Sequence, residues 1–315
     1  MTKQPAANFG TTGVGGLSIN DPDKAKQQQV YEFVENMKQD PDGWKKSVEY
    51  IVTGAVSTVD EHYLLFLVIE EFLKKRYAAA NNEDVRIVRD FLAFWMQKIN
   101  GDGSYPAYVV NKLAQLFSLV FASDFPSRWP RFMQEVFLDR GFTHHPTVQF
   151  YLKTLLAIDE EVVNRYMSRT PEEFDRNTTI KDAMRELCIK DCSESWVLIL
   201  EQCSELSDHA LVFEVVAAYV DWIDLELVAN ERFVPLLMKG LAKSETSEEA
   251  IQAVEGLVQK GMPASRKLFL TSGLLNFIKT NNLLAISEDS FNEETERVAC
   301  LVSSLGHQLV NVNST

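Results

Sequence analysis

From Asp21 onward the chain is punctuated by helix start and stop signals, and no stretch between them alternates with the period of a strand. "DPDK" puts Asp21 at an N-cap and Pro22 at the first helical position. "TPEE" does the same at Thr170 and Pro171, with Glu173 closing a capping box, and "TSEE" at Thr246 and "SFNE" at Ser290 repeat the box. Apolar periodicity between the breaks predicts helices over 22–38, 43–54, 60–77, 83–99, 105–122, 127–139, 146–158, 171–190, 192–205, 208–221, 230–242, 247–260, 264–280 and 291–311. The breaks, such as "DPDG", "NNED" and "DRGFTHHP", are short, which makes successive helices antiparallel neighbours.

Strung in series, these helices form hairpins of about 40 residues, the period of HEAT-type repeats. The fold class is therefore all-α: a HEAT-repeat-type α-solenoid, a superhelical array of antiparallel helix hairpins. The second helix of several pairs carries an aromatic near its start (Trp44, Trp129, Trp196, Phe233), placed to wedge between layers. One hairpin cannot bury its apolar face alone, and stacking supplies a continuous core. The last helix is apolar at Val298, Leu301, Val302, Leu305 and Leu309 and has no following hairpin to cover it, as in the front part of a longer array.

The net charge is −14, and residues 201–315 hold 17 acidic against 8 basic residues. A generic nucleic-acid coating protein would be basic, so any RNA contact here has to be local. No apolar run approaches the roughly 20 residues that span a bilayer. Residues 1–20, rich in Gly, Thr and Asn, read as a flexible tail without a targeting signal. The four cysteines, at 188, 192, 203 and 300, read as free thiols, and no metal site is completed around them. "FGTTGVGG" lacks the preceding strand and the Gly-Lys-Ser/Thr of a phosphate loop. The adjacent His144 and His145 give at most two metal ligands, and the paired carboxylates fit helix N-termini. No enzyme, cofactor or metal signal emerges.

The basic stripes carry more information. On 83–99 the apolar face is Val85, Val88, Leu92, Trp95 and Ile99, which leaves Arg86, Arg89, Asp90 and Gln97 outside. On 127–139, Trp129, Phe132, Met133, Val136 and Phe137 turn in, and Arg128, Arg131, Glu135 and Asp139 turn out. On 43–54, Lys45, Lys46 and Glu49 are outside. All three are second helices of hairpins. On 171–190, Ile180, Ala183, Met184 and Leu187 face inward, while Asn177, Lys181 and Arg185 recur at i, i+4, i+8 beside Asp182. That polar strip, with Arg176 near it, suits a phosphate backbone or an acidic protein loop. Helix physics alone leaves the paired Thr178 and Thr179 unexplained.

These residues also carry a family resemblance. "RNTTIKDAMRELCI", "ESWVLIL" and "VVAAYVDWIDLELVANERFVPLLM" resemble the tRNA exportins of the karyopherin-β family, and "DPDGWKKSVEYI", "VRDFLAFWMQ" and "FASDFPSRWPRFMQEV" fit the N-terminal region of that family. The resemblance covers about 21–310, and family members are several times longer. It implies an importin N-terminal-like region over about 21–140 and exportin-like repeats over about 141–315. It implies a non-enzymatic receptor shuttling between nucleus and cytoplasm, with Ran GTPase in its GTP form, tRNA and nuclear pore proteins as partners and no membrane. Lys45, Lys46, Glu49, Arg86, Arg89 and Asp90 are then the candidates for Ran. Arg128, Arg131, Arg176, Asn177, Lys181 and Arg185 are candidates for tRNA or Ran. A short HEAT-type scaffold binding only protein is the alternative.

Overall fold

A computed structural model of the chain describes residues 24–101, 105–163, 170–284 and 293–313. The expected tail over 1–20 and the caps at Asp21 and Ser290 lie outside these residues. Fourteen α-helices and no strand occur among the described residues, grouped into two compact units that divide between Pro130 and Arg131. The fold is all-α, built of stacked helical hairpins of the HEAT type. No helix among the described residues is long and apolar enough to cross a membrane.

The first unit contains α1 (Lys24–Gln39), α2 (Gly43–Val52), α3 (Val59–Lys75), α4 (Asn82–Gly101) and α5 (Ala107–Asp124). α3 packs between α1 and α5, and α2 packs against α3 and α4. A Cβ at Gly43 would sit 1.9 Å from the Met37 carbonyl oxygen, so the turn between α1 and α2 requires glycine. The core joins the helices through aromatic pairs. Trp44 stacks on Phe72 with ring centroids 3.8 Å apart, and Trp95 meets Phe66 edge-on at 5.3 Å. α3 starts with a capping box that the sequence reading did not single out. Thr58 Oγ1 accepts from the Glu61 amide, and the Glu61 carboxylate accepts from the Thr58 amide.

The second unit contains α6 (Phe132–Val136), α7 (His145–Ile158), α8 (Pro171–Leu187), α9 (Ile189–Gln202), α10 (Leu206–Tyr219), α11 (Phe233–Leu241), α12 (Ser247–Gln259), α13 (Ala264–Thr280) and α14 (Glu293–Asn313). α7, α10, α12 and α14 pack side by side in one row, α9 packs on α11, and α13 packs on α14. α8 is the outlier. It rests on α9 and on the π-helical turn Asp159–Val163, and only Asn177, Ile180 and Met184 are buried along its 17 residues.

Two elements depart from the sequence expectation. The helix expected over 127–139 shrinks to Phe132–Val136. Pro126 and Pro130 donate no amide hydrogen and bias the residues before them away from helix, so the chain turns until Phe132. Trp129 is consequently half-buried in a turn instead of inside the core, whereas Trp44, Trp196 and Phe233 are fully buried as expected. Thr170 caps α8 with the expected box, but Thr246 forms none: its hydroxyl donates to the Gly240 carbonyl at 2.8 Å and closes the end of α11.

Candidate functional site

The first unit holds a cleft of about 490 Å³ lined by Asn82, Val85, Arg86, Arg89, Asp90 and Arg128. The first five recur at i, i+3, i+4, i+7 and i+8 on α4, the face opposite its buried Val88, Leu92, Trp95 and Ile99. Val85, expected in the core, is half-buried and lines the cleft. Arg128 comes from the turn after α5. The cleft thus gathers three arginines and one carboxylate, Asp90.

Two of those arginines are organised by one buried group. Asp124, the last residue of α5, is fully buried, and its Oδ2 accepts from the Tyr77 hydroxyl and from Arg89 Nη2, each at 3.1 Å. Its Oδ1 lies 2.8 Å from Arg128 Nη2. Arg89 also donates to the Arg128 carbonyl at 2.9 Å and sits over the Trp129 ring, 4.5 Å from its centroid. Arg128 lies over the Tyr77 ring at 4.9 Å. Burial, and the Asp124 carboxylate after it, push the Tyr77 hydroxyl well above its ordinary pKa, so it stays a donor. Arg86 is exposed and forms no ion pair among the described residues. Such a site can hold a carboxylate or a phosphate: two guanidinium groups held by Asp124 and one exposed arginine line a single cleft.

The other candidates do not line this cleft, and most are neutralised within the chain. Lys45 bonds Asp84 at 2.7 Å, linking α2 to α4, and Lys46 bonds Asp40 at 2.6 Å. The bond to Lys46, with the Asp42 amide, holds the Asp40 carboxyl below its usual range. Glu49 is exposed. Arg131, in the second unit, is exposed and lies 3.7 Å from Asp139 and 3.9 Å from Glu135.

The strip on α8 does not present the face its spacing suggested. Asn177 is buried, and its Nδ2 donates to the Glu161 carbonyl at 3.2 Å. Asn177 Oδ1 accepts from Arg176 Nε at 3.0 Å, while Arg176 Nη2 reaches Glu161 at 3.3 Å. Asn177 therefore fastens α8 to the π turn and leaves the exposed face to others. Arg185 donates to the Trp222 carbonyl at 2.9 Å, bonds Asp182 at 2.5 Å and lies over the Trp222 ring. Lys181 is half-exposed and has its own contacts. Leu187, expected to face inward, is exposed because α8 ends beside it. Thr178 and Thr179 each return their hydroxyl to the carbonyl four residues back, on Phe174 at 2.9 Å and Asp175 at 3.0 Å. That bond satisfies a hydroxyl on a solvated helix without burying it.

Sequence reasoning missed the organisers, Asp124 and Tyr77. The available signal was an acid closing the otherwise apolar run "LAQLFSLVFASD" just before a proline turn. Such an acid is expensive to bury unless paired.

Comparison with known proteins bears on the whole chain. Residues 106–254 match the family described as Exportin 1-like protein. The chain is 34% identical over 301 residues to exportin-T of Danio rerio and 32% identical over 300 residues to exportin-T of Homo sapiens. Each alignment covers 94% of this chain and 31% of the relative. Exportin-T of Dictyostelium discoideum is 27% identical over 286 residues. The chain spans between about a quarter and a third of the length of these relatives. By sequence, then, the chain is similar to exportin-T along nearly its whole length and contains a region that matches the Exportin 1-like family.

Proposed function

We propose that this chain is part of a nuclear export receptor of the exportin-T type, which binds Ran in its GTP form and contributes to tRNA export without catalysis of its own. The observation that carries this reading is the similarity to exportin-T along 94% of the chain. The arginine cleft adds a physical basis. Arg86, Arg89 and Arg128 form a ready cationic contact in the first unit for acidic loops of the GTPase, with Asp90 selecting for a matching cation on the partner. Lys45, Lys46 and Glu49 on α2 extend that contact. Arg131, and the exposed parts of Arg176, Lys181 and Arg185, serve tRNA phosphates or Ran, with Asn177 acting only to hold α8 in place. In this reading Ran-GTP raises the affinity for tRNA, tRNA then raises the affinity for Ran-GTP by the same factor, and release in the cytoplasm follows when the GTPase hydrolyses its nucleotide. Such a receptor shuttles between nucleus and cytoplasm through contacts with nuclear pore proteins.

The test is a pull-down with Ran locked in its GTP form, run beside Ran-GDP, and a tRNA mobility shift at physiological salt. Selective capture of Ran-GTP and a tRNA shift strengthened by it support the proposal. Equal capture of both nucleotide states contradicts it. Selective Ran capture with no tRNA shift favours a scaffold that binds only protein, a reading supported by the net charge of −14 and by the internal pairing of most basic candidates.

A further inference from the structure

A second cleft, of about 310 Å³, lies within the second unit where α9 ends, α10 begins and α11 ends. Leu200, Phe213 and Leu236 form its apolar floor. Lys239, in the last turn of α11, and Lys243, two residues past its end, stand on its rim. Both lysines are exposed, and neither forms an ion pair among the described residues.

Three features leave their charge available. Glu201, the one acid on the cleft, is already held by both arms of Arg232, at 2.7 and 2.9 Å. The Gly240 carbonyl, at the negative end of α11, accepts from the Thr246 hydroxyl at 2.8 Å and the Lys243 amide at 3.2 Å. His209 Nε2 lies 3.0 Å from the Cys203 carbonyl; only the ring can donate there, which leaves Nδ1 without that proton when the ring is neutral. The site is also fixed in place. A Cβ at Gly240 would lie 2.3 Å from the Phe213 ring, so α11 sits directly on α10 and the cleft opens beside that contact.

We infer that this cleft docks a short acidic linear peptide carrying one apolar anchor side chain. The anchor rests on Leu200, Phe213 and Leu236, and carboxylates on either side of it meet Lys239 and Lys243. Charge complementarity favours such a peptide over RNA. A phosphate backbone gains nothing from an apolar floor, and residues 201–315 carry a net charge of −9, which repels a long polyanion. A short peptide brings its charges within reach of the two lysines alone, inside one screening length of about 8 Å at physiological salt.

The probe is a phage-displayed random dodecapeptide library selected on the intact chain, with fluorescence anisotropy on the enriched sequences. Enriched peptides are expected to pair Asp or Glu with one Leu, Ile, Phe or Met. Lys239→Glu combined with Lys243→Glu should weaken them at least about ten-fold while Ran-GTP binding stays unchanged. Should that variant misfold, Lys239→Gln with Lys243→Gln carries the same test. The inference is overturned if no acidic–apolar sequence is enriched, if the enriched peptides bind the lysine variants as tightly, or if tRNA displaces them by binding at the two lysines.

Discussion

Asp124 shows how much one buried carboxylate organises. It is inaccessible to solvent, yet it anchors two arginines that reach the surface and one tyrosine that does not. Removing its charge strands cations that the fold holds at the cleft. Both guanidinium groups are about a third exposed and can hydrate, so the cost falls below that of a fully buried pair. Asp124→Asn should cost about 2 kcal/mol and lower the urea midpoint of the first unit, followed by tryptophan fluorescence. Glu214 gives a pH-dependent case. Burial, and Glu249 after it, hold its carboxyl above the usual range, with Lys153 opposing. The folded chain then binds this proton more tightly than the unfolded chain. Stability is lost as pH rises from the unfolded value of about 4.3 through the higher folded one. Glu214→Gln should raise Tm slightly at pH 7 and give no gain at acid pH, where the carboxyl is protonated in both states, measured by calorimetry. At this scale the sequence was partly misleading. Asn177 shares the helical spacing of Lys181 and Arg185, but the Glu161 carbonyl that draws it inward belongs to a turn 16 residues earlier, which spacing within one helix cannot report.

Elements were more legible than residues, because caps and apolar periodicity are local. α12 and α13 lie within a residue of their expected bounds, and Thr170 caps α8 with the box its sequence announced. Failures arose where a local signal met a tertiary demand. Thr246 has a capping-box sequence, yet its hydroxyl donates to the Gly240 carbonyl and closes α11 instead of capping α12. The packing of α11 on α10 is equally demanding. Gly240→Ala puts a methyl group against the Phe213 ring and should cost about 1–3 kcal/mol, read as a fall in the urea midpoint. α8 is held at few points, by Asn177, Ile180, Met184 and the Arg185 bond to the Trp222 carbonyl. Its amides should exchange faster than those of α10, which is packed by α7, α9 and α12. Arg185→Ala should speed exchange in α8 further while leaving α10 unchanged, resolved by hydrogen-exchange mass spectrometry.

Across the whole molecule, the all-α HEAT-type class followed from the succession of capped amphipathic segments, and the likeness to exportin-T followed from longer motifs that spacing alone does not explain. What stayed hidden was which cations are spoken for. Pairing with Asp84, Asp40, Asp124, Glu161 and Asp182 depends on helices brought together by folding as well as on neighbours in sequence. In the cleft of the first unit that leaves Arg86 exposed and uncommitted, backed by Arg89 and Arg128. Ran-GTP binding at this cleft is measured directly by isothermal titration of Ran-GTP into the chain and into its Arg86→Glu variant. We predict selective binding of the GTP form, weakened about ten-fold in the variant and weakened by added salt in the unaltered chain. Equal affinity of the two chains for Ran-GTP, or equal affinity of the unaltered chain for Ran-GTP and Ran-GDP, would contradict it.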